Sequence, residues 1–358
     1  MRNSFYRALS VAAGVAAALL ALEGVLQLFS TPGVPPVPHA AQDAFDAPVV
    51  VTKQMEEGIA LSRFTTAGAR LTGNRPIPGA PVVLLLGDSY VVAREVEDEA
   101  TMGGQLERLA RSEELSINVR QYGWRGASAA QYLDAAGEML RRWNPSQVVI
   151  VLDEGDLGVD ALNRKFPRMA IGDDDHVSVV HSPDQRSNID LATAAGGQQR
   201  SGSALGGLIR ARWQRILSRA PPSVQRWGRA DIETRGPEPD AASLAAVPRA
   251  TVKALVSSFG SELAIIYVAD VRVATGHTRE KGETELLHEC ARLGVRCSST
   301  RDAMLAARSR GIIARGFPTT TLGVGHLNPA GHKLMAQEIW KLIGTGPAPA
   351  ATPRMAAR

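Results

Sequence analysis

Cysteine, net charge and repetition are what this 358-residue sequence has least of. Its two cysteines, Cys290 and Cys297, are too few for a disulfide framework and make no C-x-x-C pair. Outside the cytoplasm the two can form a single bridge. The alternative is a pair of ordinary buried thiols, one ending a helix and one in the following strand. No H-x-x-x-H or carboxylate cluster has metal-ligand spacing, so neither a metal nor another cofactor is expected. The run Asp173-Asp174-Asp175 lacks the glycine and glutamate of a calcium loop and reads as a solvated turn. A net charge of +4 is too small to argue for a nucleic-acid partner. No internal repeat is evident, which excludes a solenoid. What is present is a 44% hydrophobic composition, ordinary for a globular chain.

The first 80 residues are organised differently from the rest. Arg2 and Arg7 precede an apolar run from Ala8 to Phe29, interrupted by Ser10, Glu23 and Gln27. A spanning helix needs ~20 mostly apolar residues, so residues 1–30 are expected to form an uncleaved signal anchor. The leading arginines place that end in the cytoplasm. A cleaved signal peptide is the competing reading, with a poor small-residue site at His39-Ala40-Ala41. The expected location is therefore the inner membrane, single-pass, with the C-terminal domain periplasmic or extracellular. Residues 31–80 form a proline-rich spacer and lead-in, beginning with the stiff Thr31-Pro38 segment. One domain is expected over 81–345, followed by a disordered tail at 346–358.

Within that domain strand and helix signals alternate, as a doubly wound parallel sheet in three layers requires. Strands are expected at Val82–Leu86, Ile117–Arg120, Val148–Leu152, Leu263–Val268 and Gly294–Cys297. Helices are expected at Met102–Leu109, Ala129–Arg142, Val252–Phe259, Glu283–Leu293 and after Asn328 or Pro329. The order fails between residues 163 and 248, which read as an insertion or cap. Inside it, Arg200 to Arg229 holds seven arginines and no acidic residue. Leu205, Leu208, Ile209, Trp213, Ile216 and Leu217 fall on one helical face there. That pattern suits a helix covering the core, one lying on anionic lipid, or a basic lip facing an acidic glycan.

Two short motifs carry chemistry. Gly87-Asp88-Ser89 follows the apolar run Val82–Leu86, so Ser89 stands at the carboxyl end of a buried strand, where open α/β sheets place ligands. Near the other end, His326-Leu-Asn-Pro-Ala-Gly-His332 places His326 in the loop before the last helix. A histidine there can reach a serine at another strand's end and act as its general base.

The two motifs, in this order, resemble the SGNH (GDSL-type) hydrolase family over about Val82 to Ile343. The family's members are esterases, deacetylases and some acyltransferases. The resemblance implies an SGNH/flavodoxin-like α/β fold, with Ser89 as nucleophile and His326 as base. It implies an oxyanion hole built from the amides of Ser89 and Gly123. In the third block Gly155 stands where the family has an asparagine, so only its amide is left as a third donor. The family's aspartate before the histidine is replaced by Gly323 and Val324. Asp153, Glu154 and Asp156 are the nearest substitutes for that acid in the sequence. With no acid at the usual place, the imidazole is expected near its ordinary pKa of ~6.5, and activity only weakly dependent on any carboxylate. The activity implied is hydrolysis of O-acyl esters, with an acylated envelope or extracellular glycan as partner and contact with the membrane through the N-terminal helix. Transfer of the acyl group to a sugar hydroxyl, and a non-catalytic glycan- or protein-binding module of the same fold, are the other readings.

Overall fold

The apolar runs of the sequence become the strands of one central sheet. A computed structural model describes residues 13–24, 48–181 and 241–344, apart from 55–56, 59, 66–67, 125, 159–160, 163–166, 173, 272–278 and 319. Helix α1 covers residues 13–24. Strands β1 (Pro48–Gln54) and β2 (Ala60–Thr65) pair as an antiparallel hairpin. The domain then runs β3 (Val82–Gly87), a single helical turn α2 (Ser89–Val92), α3 (Met102–Ser112), β4 (Asn118–Gly123), α4 (Ala129–Trp143) and β5 (Gln147–Leu152). After a second hairpin, β6 (Arg168–Ile171) with β7 (Val177–Val180), come α5 (Ala241–Phe259), β8 (Leu263–Tyr267), α6 (Lys281–Leu293), β9 (Arg296–Ser299), α7 (Arg301–Ser309) and α8 (Pro329–Ile343).

The sheet order is β4-β3-β5-β8-β9 with every pair parallel, which is the doubly wound order in which the chain reverses direction between β3 and β5. Alternate strand residues face opposite layers. Leu84, Leu86, Val148, Ile150, Ile265 and Tyr267 pack under α4, α5 and α6. Val83, Leu85, Val149, Val151, Ala264 and Ile266 pack against α3, α7 and α8. Burial on both faces is why these strands read as continuous apolar runs rather than as an alternating pattern. The three-layer α/β class expected from the sequence is the one observed.

Side chains set where the helices begin. The Thr101 hydroxyl accepts the Gly104 amide and starts α3. The Asn328 carboxamide accepts the amides of Ala330 and Gly331, and Pro329 fills the first position of α8. Helix α5 begins eleven residues before the expected Val252, because it runs through Pro248. Proline forfeits one helical hydrogen bond, and here the buried side chains of Val247, Ala250, Val252 and Leu255 hold the turn against the core. The last strand falls at Arg296–Ser299 rather than Gly294–Cys297, since Gly294 caps α6 in the left-handed conformation.

Three further points bear on the expectations. Cys290 and Cys297 form a disulfide that ties α6 to β9, with Cα atoms 6.1 Å apart. Asp175 lies in the β6–β7 turn, as expected of the acidic run, but its carboxylate pairs with Arg249 at 2.6 Å and Lys253 at 2.7 Å on α5. Those two hydrogen bonds hold its carboxyl down at about 2. The lead-in is more than a spacer, because Arg70 bridges β2 to β4 through Phe64 and Gln121, its amide donating to the Gln121 carbonyl at 2.8 Å.

Of the anchor expected over residues 1–30, residues 13–24 are described, and they are helical. Among the described residues no helix is long and apolar enough to cross a membrane. The remainder of the apolar run, the Thr31–Pro38 spacer, the arginine-rich stretch from Arg200 to Arg229 and the tail at 346–358 lie outside the described residues.

Candidate active site

Strand β3 delivers its end to the point where the sheet reverses. Asp88 caps α2, its carboxylate accepting the Tyr90 amide at 2.9 Å, and Ser89 is the first residue of that turn. The first amides of a helix have no partner within it, so the Ser89 N–H is geometrically available to a developing oxyanion. Gly123, at the end of the neighbouring β4, is paired with Gly87 and abuts the backbone of the α2 turn. The Ser89 hydroxyl donates to Asp88 Oδ2 at 3.2 Å rather than to His326. Burial, and then the charge of Asp153, push the Asp88 carboxyl up to about 6.

His326 arrives from the other side of the crevice, in the loop before α8. Its Nδ1 lies 2.5 Å from Glu57 Oε2, and its backbone N–H donates to the same oxygen at 3.1 Å. Glu95 Oε1 stands 3.6 Å from Nδ1, and its side chain is buried. One carboxylate oxygen accepting both N–H groups of one residue fixes ring and backbone together. It also sets the tautomer: with Nδ1 carrying the proton toward Glu57, Nε2 is left as the basic nitrogen. Burial lowers the imidazole's basicity, but the Glu57 hydrogen bond and the charges of Glu95, Glu57 and Asp88 outweigh it, so the pKa is raised above its ordinary value. The edge of the Tyr90 ring packs on the imidazole, centroids 6.0 Å apart.

This overturns the expectation of an unpartnered imidazole. A carboxylate does meet the ring, and it comes from the segment between β1 and β2 rather than from positions 323 or 324. Gly323 has φ +84° and Val324 is exposed, so neither position presents a side chain to the ring in the family's manner. The substitutes considered in the sequence are engaged elsewhere. Asp153 accepts the amides of Gly155 and Asp156, Asp156 accepts the Asp153 amide, and Glu154 meets the Tyr267 hydroxyl at 2.9 Å. The Gly155 amide, 2.8 Å from Asp153 Oδ1, is therefore committed to a local turn and is not a free third oxyanion donor. The motif's second histidine, His332, is buried in the core, and burial drives its pKa down to about 3, so it stays neutral.

Two cavities open on this crevice. The larger, about 490 Å³, has His326, Tyr90, Arg315, Asp153, Glu154 and Asp270 in its wall. The smaller, about 140 Å³, lies between Asp88, Ser128, Asp153 and Gly155. Glu57, Glu95 and His326 also bring three donor atoms within 4.8 Å of one another, a grouping with metal-ligand geometry. The direct Glu57–imidazole bond is the arrangement of an oriented base.

Sequence reasoning missed Glu57, Glu95 and Arg70. Arg70 is fully buried, ion-paired with Asp98, and donates to the Val96 carbonyl at 2.8 Å and the Ala93 carbonyl at 3.4 Å. It thereby braces the loop that carries Glu95. Burial lowers its pKa to about 9. The signal that existed was weak: Glu57 and Arg70 are charged residues inside the stretch read as lead-in, and Glu95 is one of several acids after Ser89.

No protein-family profile matches the chain, and no curated protein matches it in sequence. Solved structures similar to it include an acetyl xylan esterase, AlAXEase, at 12% identity and TM-score 0.40, covering 73% of this chain and 99% of that one. A lipolytic G-D-S-L family protein from Veillonella parvula matches at 11% identity and TM-score 0.37, covering 74% and 100%. A two-domain esterase active on acetylated mannans matches at 13% identity and TM-score 0.38; this chain, 74% covered, spans 49% of its length.

Proposed function

We propose that the chain is an SGNH-type serine esterase that removes short acyl groups from the hydroxyls of an envelope or extracellular glycan. The observation carrying this reading is the Glu57–His326 bond on the histidine of the motif that faces the Gly87-Asp88-Ser89 turn. A histidine held by a carboxylate through Nδ1 has one task left for Nε2, which is to take a proton from a neighbouring hydroxyl. In the proposed reaction the Ser89 hydroxyl turns from Asp88 toward Nε2. Its oxygen attacks the acyl carbon while its proton passes to His326. The amides of Ser89 and Gly123 hold the oxyanion. The alcohol oxygen then departs with the proton from His326, leaving an acyl-serine. Water, activated by the same imidazole, releases the acid; a sugar hydroxyl in place of that water gives the transferase variant of the reaction.

The 140 Å³ cavity bordered by Asp88, the residue before Ser89, has room for an acetyl-sized group, which supports a short-acyl substrate. The same cavity supports a second reading. Three aspartates, Asp88, Asp153 and Asp156, surround it where the family keeps an asparagine donor, and negative charge opposes an oxyanion. That environment suits a binding module without turnover.

A fluorophosphonate probe separates the two. The esterase reading expects covalent labelling at Ser89, found by mass mapping, and none in Ser89→Ala. A folded wild-type protein that resists the probe and spares p-nitrophenyl acetate would hand the lead to the binding module.

The proposed location is the outer face of the inner membrane, tethered through the N-terminal apolar run. Val15, Leu19, Leu20 and Leu22 of α1 are exposed, and Arg2 and Arg7 precede them. Protease added to intact spheroplasts should digest the C-terminal domain. Protection until lysis would reverse the orientation.

A further inference from the structure

Arg315 is a buried cation that the proposed reaction does not use. It lies on the segment running antiparallel to the histidine motif, bridged to Leu327. Next to it, the Gly316 amide donates to the His326 carbonyl at 2.9 Å. The backbone beside Arg315 is thus fixed to the base. Its side chain crosses the crevice in the other direction. One guanidinium nitrogen donates to the Tyr90 hydroxyl and, at 3.4 Å, to the Gly325 carbonyl. The other donates to the Ala269 carbonyl at 3.0 Å, just beyond β8. The guanidinium carbon also sits 4.9 Å from the centre of the Tyr90 ring.

These contacts join three chain segments that no sheet ladder joins. Tyr90 follows Ser89, Gly325 precedes His326, and Ala269 is a buried residue between Val268 and Asp270, which line the cavity. The guanidinium's donors are fixed in one plane, so three acceptors held at once define a geometry rather than a loose attraction. The Tyr90 ring held by this guanidinium is the same ring whose edge rests on His326.

We propose that Arg315 is a positioning residue that sets the approach of the Ser89 turn to His326, acting through Tyr90. This rests on the serine-esterase reading above. A misplacement of about 1 Å at a reacting pair costs roughly 10²-fold in rate, so the link has room to matter without touching substrate. Removing it lowers kcat and leaves KM for a small ester nearly unchanged, because Arg315 and Tyr90 steer the nucleophile and base rather than bind the acyl group.

The test compares Arg315→Gln, Arg315→Lys, Tyr90→Phe and the Arg315→Gln/Tyr90→Phe pair. Readouts are p-nitrophenyl acetate kinetics, thermal melting and the imidazole resonances of His326. Arg315→Gln and Tyr90→Phe are each expected to lower kcat about tenfold or more. The double variant should be no worse than the poorer single, since both cut one link. Arg315→Lys should recover part of the loss, and the His326 resonances should shift in Arg315→Gln. Unchanged kcat and unshifted resonances in folded Arg315→Gln would overturn the proposal. Tyr90→Phe removes one oxygen, so it carries the test if Arg315→Gln fails to fold; wild-type kcat there would likewise overturn it. If wild-type protein shows no turnover and no labelling at Ser89, it is the esterase reading that fails. The resonances alone then decide whether Arg315 positions His326.

Discussion

Glu57→Ala is expected to lower kcat by up to about 10⁴, the loss on substituting the acid of a serine-protease triad, while leaving KM for a small ester within a few-fold. Glu57 Oε2 takes both the Nδ1 and the backbone N–H of His326. Its removal frees the ring and takes away the charge that favours the imidazolium formed during acylation. Glu57→Gln tests these two roles separately, because a carboxamide oxygen can still accept both donors but carries no charge. It should fall between wild type and Glu57→Ala. Glu95, 3.6 Å from Nδ1, is a second carboxylate close enough to take part of the load, so Glu95→Gln should cost less than Glu57→Gln and the double variant most. Turnover in Glu57→Ala within threefold of wild type would remove Glu57 from the mechanism.

The pH dependence follows from the same contacts. Burial lowers the His326 pKa, but the Glu57 bond and the charges of Glu95, Glu57 and Asp88 raise it further than burial lowers it. The base must be neutral to accept the serine proton, so kcat/KM should rise with pH through a midpoint above ~6.5. In Glu57→Gln burial meets less opposition and the midpoint should move down. Stability runs the other way. A histidine whose folded pKa exceeds its unfolded value stabilises the fold fully below ~6.5 and loses that contribution as pH rises through the raised value. The Glu57→Gln variant should therefore lose most stability, relative to wild type, on the acid side.

The parts of this fold that could be read from sequence are those whose cause is local. Val82–Leu86, Val148–Leu152 and Leu263–Val268 announce themselves because both faces of a central strand are buried. Helix α8 shows its start in Asn328 and Pro329, which cap and open it. Ser89 and His326 are legible because a strand end and a helix start each leave a mark. Glu57 left none. It lies 269 residues from the histidine it orients, and only the docking of a hairpin brings the two together. Gly155 misled for the opposite reason: it occupies the expected position, but the Asp153 carboxylate two residues earlier captures its amide. Function at this site rests on contacts between distant segments, which periodicity and caps do not encode.

Gly123→Ala should damage both the stability of this domain and its candidate site. Gly123 has no left-handed backbone to protect, and close approach is what demands glycine there. A Cβ on Gly123 would lie 2.3 Å from the Val92 nitrogen, 2.7 Å from the Asp88 oxygen and 2.8 Å from the Val91 carbonyl carbon. All three are backbone atoms of the turn that carries Ser89, so no rotamer change can relieve the contact. Either β4 moves away from β3, or the Ser89 turn is pushed out of the crevice. Overpacking usually costs about 1–3 kcal/mol, and a rigid neighbour puts this site near the top of that range. For a domain of this size a loss of that order lowers Tm by roughly 6–12 °C. Gly137→Ala is the matched control: it lies mid-helix in α4 with nothing within 4 Å of an added Cβ. There the methyl group should stabilise by about 0.5–1 kcal/mol through helix propensity alone. Where Gly123→Ala still folds at low temperature, its labelling by the fluorophosphonate probe should slow at least tenfold, because Ser89 and the proposed oxyanion amides shift together. A Gly123→Ala protein that melts and labels like wild type would mean that β4 does not press on the nucleophile turn, and the proposed oxyanion hole would lose its second amide.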